Sequence, residues 1–99
     1  MQNFIADLFA SVYGGKKEYH VTPSNEIDFI ITVRNKAVLV GEVKWGKYDS
    51  GDLKKFMEKS DFIKAEKVFI TKKKKEAVID SVKILDADDI LAMKSNETS

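Results

Sequence analysis

Residues 26–45 read EIDFIITVRNKAVLVGEVKW, two runs rich in β-branched and aromatic residues around a polar Arg34-Asn35-Lys36. That pattern predicts a hairpin, with one strand from Glu26 to Arg34, a turn at Asn35, which tolerates positive φ, and a second strand from Ala37 to Trp45. Side chains alternate along a strand, so Glu42 and Lys44 emerge on one face, roughly 7 Å apart. Val38, Leu39, Val40, Gly41, Val43 and Trp45 make the segment apolar on both faces, as in a strand inside a sheet. Charge in that setting is costly unless it is paired or bound to a metal.

The turn decides whether Asp28 joins Glu42. A two-residue Asn35-Lys36 turn sets Asp28 opposite Val43 and sends its carboxylate to the other face. A three-residue Arg34-Asn35-Lys36 loop, or a β-bulge, pairs Asp28 with Glu42 and brings neighbouring Cβ atoms to about 5 Å. Two carboxylates that close repel, so a proton, Lys44 or a divalent cation must lie between them. Mg²⁺ (or Mn²⁺) suits hard oxygen ligands and keeps several waters, so Asp28, Glu42 and the Val43 backbone carbonyl would leave positions for water and phosphate. Lys44 would orient the water or offset charge growing on phosphorus.

The flanking sequence extends this into an α/β order. Phe4, Ile5, Leu8, Phe9 and Val12 recur at helical spacing before Gly14-Gly15, a helix and its C-terminal cap. Glu18 to Thr22 reads as a short strand that ends at the turn formers Pro23-Ser24-Asn25. After the hairpin, Asp49 or Ser50 can cap a helix with Leu53, Phe56, Met57 and Ile63 on its apolar side. Val68-Phe69-Ile70 is a buried strand, Lys72 to Lys75 a basic loop, Glu76 to Asp80 a brief helix or turn, and Ser81 to Leu85 a last strand. Asp86 caps a final helix carrying Ile90, Leu91 and Met93, with Asp88 and Asp89 in its first turn. Residues 1–94 are expected to form one domain, and 95–99 a frayed tail.

Composition sets outer bounds. At 99 residues one core is expected, and 43% hydrophobic with 33% charged residues argues against disorder. No apolar run approaches the roughly 18 residues of a membrane span, and the opening Met1-Gln2-Asn3-Phe4 lacks the basic start of a signal peptide, so no membrane partner and a cytoplasmic location are expected. Cysteine is absent, which removes disulfides, thiolate nucleophiles and Cys-based zinc sites. Net charge is only +1, yet almost every basic residue is Lys, and they cluster. Heavy Lys and Glu use also fits a thermophile.

The run Glu26-Ile-Asp28-Phe-Ile followed by Val40-Gly-Glu42-Val-Lys44-Trp45 resembles the PD-(D/E)XK nuclease superfamily, particularly the nuclease-like C-terminal domain of archaeal DEXX-box ATPases. The resemblance spans the first helix through the Val68 strand. It implies a restriction-endonuclease-like αβββαβ core with a mixed central sheet flanked by helices. Its further implication is a Mg²⁺-dependent nuclease acting on DNA, with Asp28 and Glu42 as metal ligands and Lys44 as the catalytic lysine. A homodimer is a compatible assembly, and an ATPase domain would be the partner if the chain is a fragment. Two family features are absent: a glutamate on the first helix, where only Asp7 stands, and a proline before the first acid, where Ile27 stands. The alternative is an inactive nucleic-acid-binding or protein-interaction module that keeps the fold.

Other motifs have ordinary readings beside their functional ones. Gly41 to Lys47 has the glycine and lysine spacing of a phosphate-binding GxxxxGK loop, but Tyr48 replaces the required Ser or Thr, and Val43 and Trp45 favour strand. Lys72, Lys73, Lys74 and Lys75 could grip a phosphate backbone, as could Lys54 and Lys55 at the start of the second helix; solvated surface charge is the plain reading of both. Trp45 and Tyr48 could stack on bases, against core or rim packing. Glu26 shares the Asp28 face, His20 reads as a strand residue, and Asp86, Asp88 and Asp89 read as helix capping.

Overall fold

Two hydrophobic stripes on opposite faces of one sheet organise the chain. The computed structural model describes residues 2–21, 27–75, 78–79 and 81–98. Three helices, α1 (Gln2–Tyr13), α2 (Ser50–Ser60) and α3 (Ala87–Thr98), flank six strands, β1 (Lys16–Val21), β2 (Ile27–Val33), β3 (Lys36–Lys44), β4 (Glu66–Thr71), β5 (Val78–Ile79) and β6 (Val82–Leu85). The strands lie in the order β1-β2-β3-β4-β6-β5. An antiparallel β1-β2-β3 meander passes through α2 into β4, parallel to β3; β6 is parallel to β4 and β5 antiparallel to β6. This is a mixed α/β protein, and the helical crossover after a meander is the connection that a parallel β3-β4 pair requires.

Alternation assigns each face. Phe29, Ile31, Leu39, Val43, Val68 and Ile70 pack with Ile5, Leu8 and Phe9 of α1 and Ile90 of α3. On the other face Val40, Phe69, Val82 and Ile84 pack with Leu53 and Phe56 of α2 and with Tyr48. The same alternation puts Asp28, Glu42 and Lys44 on the α2 side. Gly41 permits close packing on the α1 side, because a Cβ there would lie 2.2 Å from the Phe29 ring.

Local signals set the helix ends. Gly14 takes φ +68°, and the amides of Gly14 and Gly15 donate to the carbonyls of Ser11 and Ala10, closing α1 with a Schellman motif. Asp49 is the N-cap of α2: its side chain accepts from the Asp52 amide while the Asp52 side chain accepts from the Asp49 amide. Asp86 and Asp89 exchange the same pair of bonds before α3.

Four expectations are corrected. β1 starts at Lys16 rather than Glu18. Val78–Ile79 is a strand rather than a helix or turn, because pairing with β6 satisfies its backbone; Glu76, Ala77 and Asp80 lie outside the described residues. Ile63 falls beyond α2, which ends at Ser60. The helix continues through Thr98 where a frayed tail was expected from residue 95. The turn proposed at Pro23-Ser24-Asn25 also lies outside the described residues. Among the described residues no helix is long and apolar enough to cross a membrane.

Candidate active site

The hairpin solves the parity problem with a bulge. Arg34 and Asn35, at φ 54° and 65°, form a two-residue turn, and Val33 pairs with Lys36. Thr32 then pairs with Ala37 but Ile31 with Leu39, so Val38 has no opposite number on β2. From there the ladder runs straight, and Asp28 lies opposite Glu42. A two-residue turn without the bulge would instead have set Asp28 opposite Gly41 and parted the acids.

Among the described residues Glu42 is the most buried charged one, at 2% exposure, on a central strand paired on both edges. Its cation comes from α2. Lys59 Nζ lies 2.5 Å from Glu42 Oε1 and 3.0 Å from Asp28 Oδ2. The remaining Asp28 oxygen, Oδ1, is buried with no hydrogen-bond partner. Lys44 Nζ lies 2.8 Å from Asp52 Oδ1, so the N3 acid of the α2 capping box also fixes this lysine. The two bridges form one pattern. Asp52 and Lys59 are seven residues apart, two helical turns on the same side of α2 and roughly 10 Å along its axis, and they meet Lys44 and Glu42 on β3. The crossover helix runs back over the strand that precedes it, so its start meets Lys44 and its end meets Glu42.

Ionisation follows from these contacts. Burial, then the neighbouring Asp28 carboxyl, pushes the Glu42 pKa from 4.5 up to about 7, although Lys59 pulls the other way. Burial works against the Lys59 charge, but the two carboxylates outweigh it and its pKa lies above the ordinary lysine value. The Lys44 ammonium holds Asp52 below the usual carboxylate range.

Lys59 is the site residue that sequence reasoning missed. Its position three residues beyond buried Phe56 and beside buried Ser60, at the edge of the α2 apolar stripe, was the available signal. A proton, Lys44 or a divalent cation was expected to relieve the acids; the ammonium that contacts both is that of Lys59. Val43 lies between Glu42 and Lys44, paired with Ile27 and Ile70, and its side chain belongs to the α1-side core. Asp7 is on the exposed side of α1 in an ion pair with Lys17, and among the described residues no third His, Cys, Asp or Glu joins the pair. Glu26 lies outside the described residues, and the His20 backbone pairs with Asp28 across β1 and β2.

The expected basic residues do not converge on one place. Lys54 and Lys55 are exposed on α2, with Lys54 lining a groove shared with Met57 and Ile79. The loop at Lys72 to Lys75 follows β4 and lies beyond the end of β3. There Lys74 Nζ is 2.8 Å from Asp89 Oδ2, and the Lys75 amide donates to the Tyr48 hydroxyl at 2.9 Å. Tyr48 is buried against Phe69, so packing rather than stacking on a base is its role. Gly41 to Lys44 is strand, which removes the phosphate-loop reading.

No protein-family model matches the chain, and no curated protein does. Geometry therefore carries the functional reading.

Proposed function

We propose that this chain is a metal-dependent nuclease that hydrolyses DNA phosphodiester bonds on a restriction-endonuclease-like αβββαβ core. One observation carries the reading: two carboxylates, Asp28 and Glu42, are brought to one buried point by a bulged register, where they need a cation or a shared proton between them. The order helix, three-stranded meander, crossover helix and parallel strand agrees with that core. The donor set fits Mg²⁺ or Mn²⁺, because both groups are hard oxygen donors and Asp28 Oδ1 is buried with no partner. Asp28, Glu42 and the Val43 carbonyl would hold the ion. When bound, such an ion lowers the pKa of a coordinated water and offsets charge on the phosphoryl oxygens.

The chain's own groups do the rest. Lys44, one alternation beyond Glu42 on the same face, presents a fixed ammonium toward an incoming phosphate, and Asp52 orients it. Lys59 is the outermost member of the acid cluster and holds the carboxylates together as a resident counter-ion. A small cavity of about 190 Å³ containing Asp28, Lys59 and Phe62 opens beside it, and Phe62 is 81% exposed at its rim. Lys72 to Lys75 supply positive charge for the DNA backbone.

A second reading has its own support. An ammonium already bridges both acids, Glu42 is almost wholly buried and among the described residues no third acid joins them, which suits an inactive module that keeps the fold. The discriminating experiment is cleavage of single-stranded, duplex and branched DNA with Mg²⁺ or EDTA by the parent, Glu42→Gln and Asp28→Asn. Metal-dependent cleavage lost in both variants supports the nuclease; no cleavage of any substrate by a folded parent supports the module.

A further inference from the structure

A second concavity lies where β3 and β4 end. It has a volume of about 990 Å³ and is bounded on one side by residues 45–49 and on the other by the loop at Lys72 to Lys75. The carboxyl ends of parallel strands are where open α/β sheets leave a crevice for ligands. Five lysines line it against two aspartates, Asp49 and Asp52, which are engaged in the α2 cap and with Lys44.

Two of the five lysines are used to build the wall. Lys74 is held by Asp89, and Lys75 is fixed by the hydrogen bond that its backbone amide donates to the Tyr48 hydroxyl, with its ammonium 5.5 Å from the centre of that ring. The loop is thereby stapled to a buried tyrosine and to α3. Lys47, Lys72 and Lys73 remain exposed, and none makes an ion pair or hydrogen bond among the described residues. Three uncompensated ammonium groups on a rigid concave wall repel one another until an anion enters. Trp45, half-buried on the α1-side core, lines the same space.

We propose that this cleft binds a single-stranded nucleic-acid segment, with Lys47, Lys72 and Lys73 on successive phosphates and Trp45 against a base. A lone phosphate would use one or two lysines and leave the aromatic wall idle. A duplex keeps its base faces stacked on one another, whereas a single strand offers them to an aromatic side chain, at about 1–3 kcal/mol per base. The volume is at the upper end of roughly 300–1,000 Å³ for ligand pockets, room for a few nucleotides but not for a double helix. Binding here is independent of the acid pair. Only the further course of the strand, past Lys44 toward Glu42, rests on the nuclease reading.

Trp45 is the only tryptophan, which makes its fluorescence a direct reporter. The parent, in EDTA at low salt, is titrated with twelve-nucleotide DNA and RNA single strands, with the matching duplex and with ATP. Saturable quenching by a single strand, at least tenfold tighter than by duplex or ATP, is expected. Lys72→Gln/Lys73→Gln should weaken it and lower the slope of log affinity against log salt by about 1.4, since each phosphate contact on a single strand contributes about 0.7. Lys36→Gln/Lys64→Gln, the same charge change elsewhere, should leave both unchanged. Equal or tighter duplex or ATP binding, equal weakening by the two double variants, or no quenching would overturn the proposal. Because the titration is run in EDTA and reads Trp45, loss of cleavage and loss of the cleft are separate results.

Discussion

Replacing Glu42 by Gln should make the protein more stable at pH 8 and leave it nearly unchanged at pH 5. In the folded chain the Glu42 pKa is about 7, above its ordinary 4.5, so the folded state holds a proton that the unfolded state releases. The raised value means that stability from this group is complete below pH 4.5 and is lost as pH rises through about 7. The full difference corresponds to about 3 kcal/mol. Because Lys59 is over a third exposed and lets water screen the cluster, about 2 kcal/mol is the working figure. Gln keeps an oxygen for Lys59 without the charge. With a urea slope of about 1 kcal/mol/M for a small domain, the parent midpoint should fall by about 2 M between pH 5 and 8.5, and that of the variant by much less. Asp52 and Asp89 have lowered values, so their stability is gained below this interval, and the raised lysines lose theirs above it. The quantity to compare is the difference between parent and variant, followed by circular dichroism in urea. Parallel decline of the two proteins would refute the assignment of buried strain to Glu42.

Three further outcomes follow from the packing. Lys59→Met should cost about 1–2 kcal/mol at pH 8, less than the 3–5 kcal/mol of a fully buried pair because of its exposure, and calorimetry should find tighter Mn²⁺ binding once the ammonium no longer competes. Unchanged Mn²⁺ affinity would mean that the lysine and the ion do not share a position. Gly41→Ala should destabilise by about 1–3 kcal/mol because the new methyl meets the Phe29 ring, and Phe29→Leu in the same chain should recover part of the loss in a melting experiment. Asp49→Ala should cost about 1 kcal/mol through the α2 cap, because the Asp52 amide loses its acceptor, yet it should leave Lys44 in place, since the Asp52 carboxylate still accepts from the backbone amide of residue 49; unchanged side-chain NMR of Lys44 would report the second part.

The elements legible in the sequence were those with a long period. The α1 stripe, the Asp49 and Asp86 caps and the alternation of β2 and β3 each repeat a local rule over several residues. Val78–Ile79 carries no period because two residues cannot alternate, and only pairing with β6 makes it a strand. The acid pair was legible as a condition on the turn, and the bulge met that condition by a route that local sequence does not reveal: Val38 resembles its neighbours. Lys59 was hidden for a different reason. It is 17 residues from Glu42, and its role depends on the angle at which α2 crosses β3, which sequence spacing alone does not supply.

The bulge at Val38 makes the site a matter of counting. Between Asp28 and Glu42 the number of ladder positions, not the identity of any residue, decides whether the acids meet, so one insertion or deletion in the turn moves Glu42 into the α1-side core and turns Val43 outward. No single substitution reverses that exchange. Removal of Val38 is the exception, since it straightens the ladder while preserving the Asp28 and Glu42 pairing. Chains descended from this one should therefore change the length of this hairpin by even steps, or by odd steps only where a bulge appears or disappears to compensate.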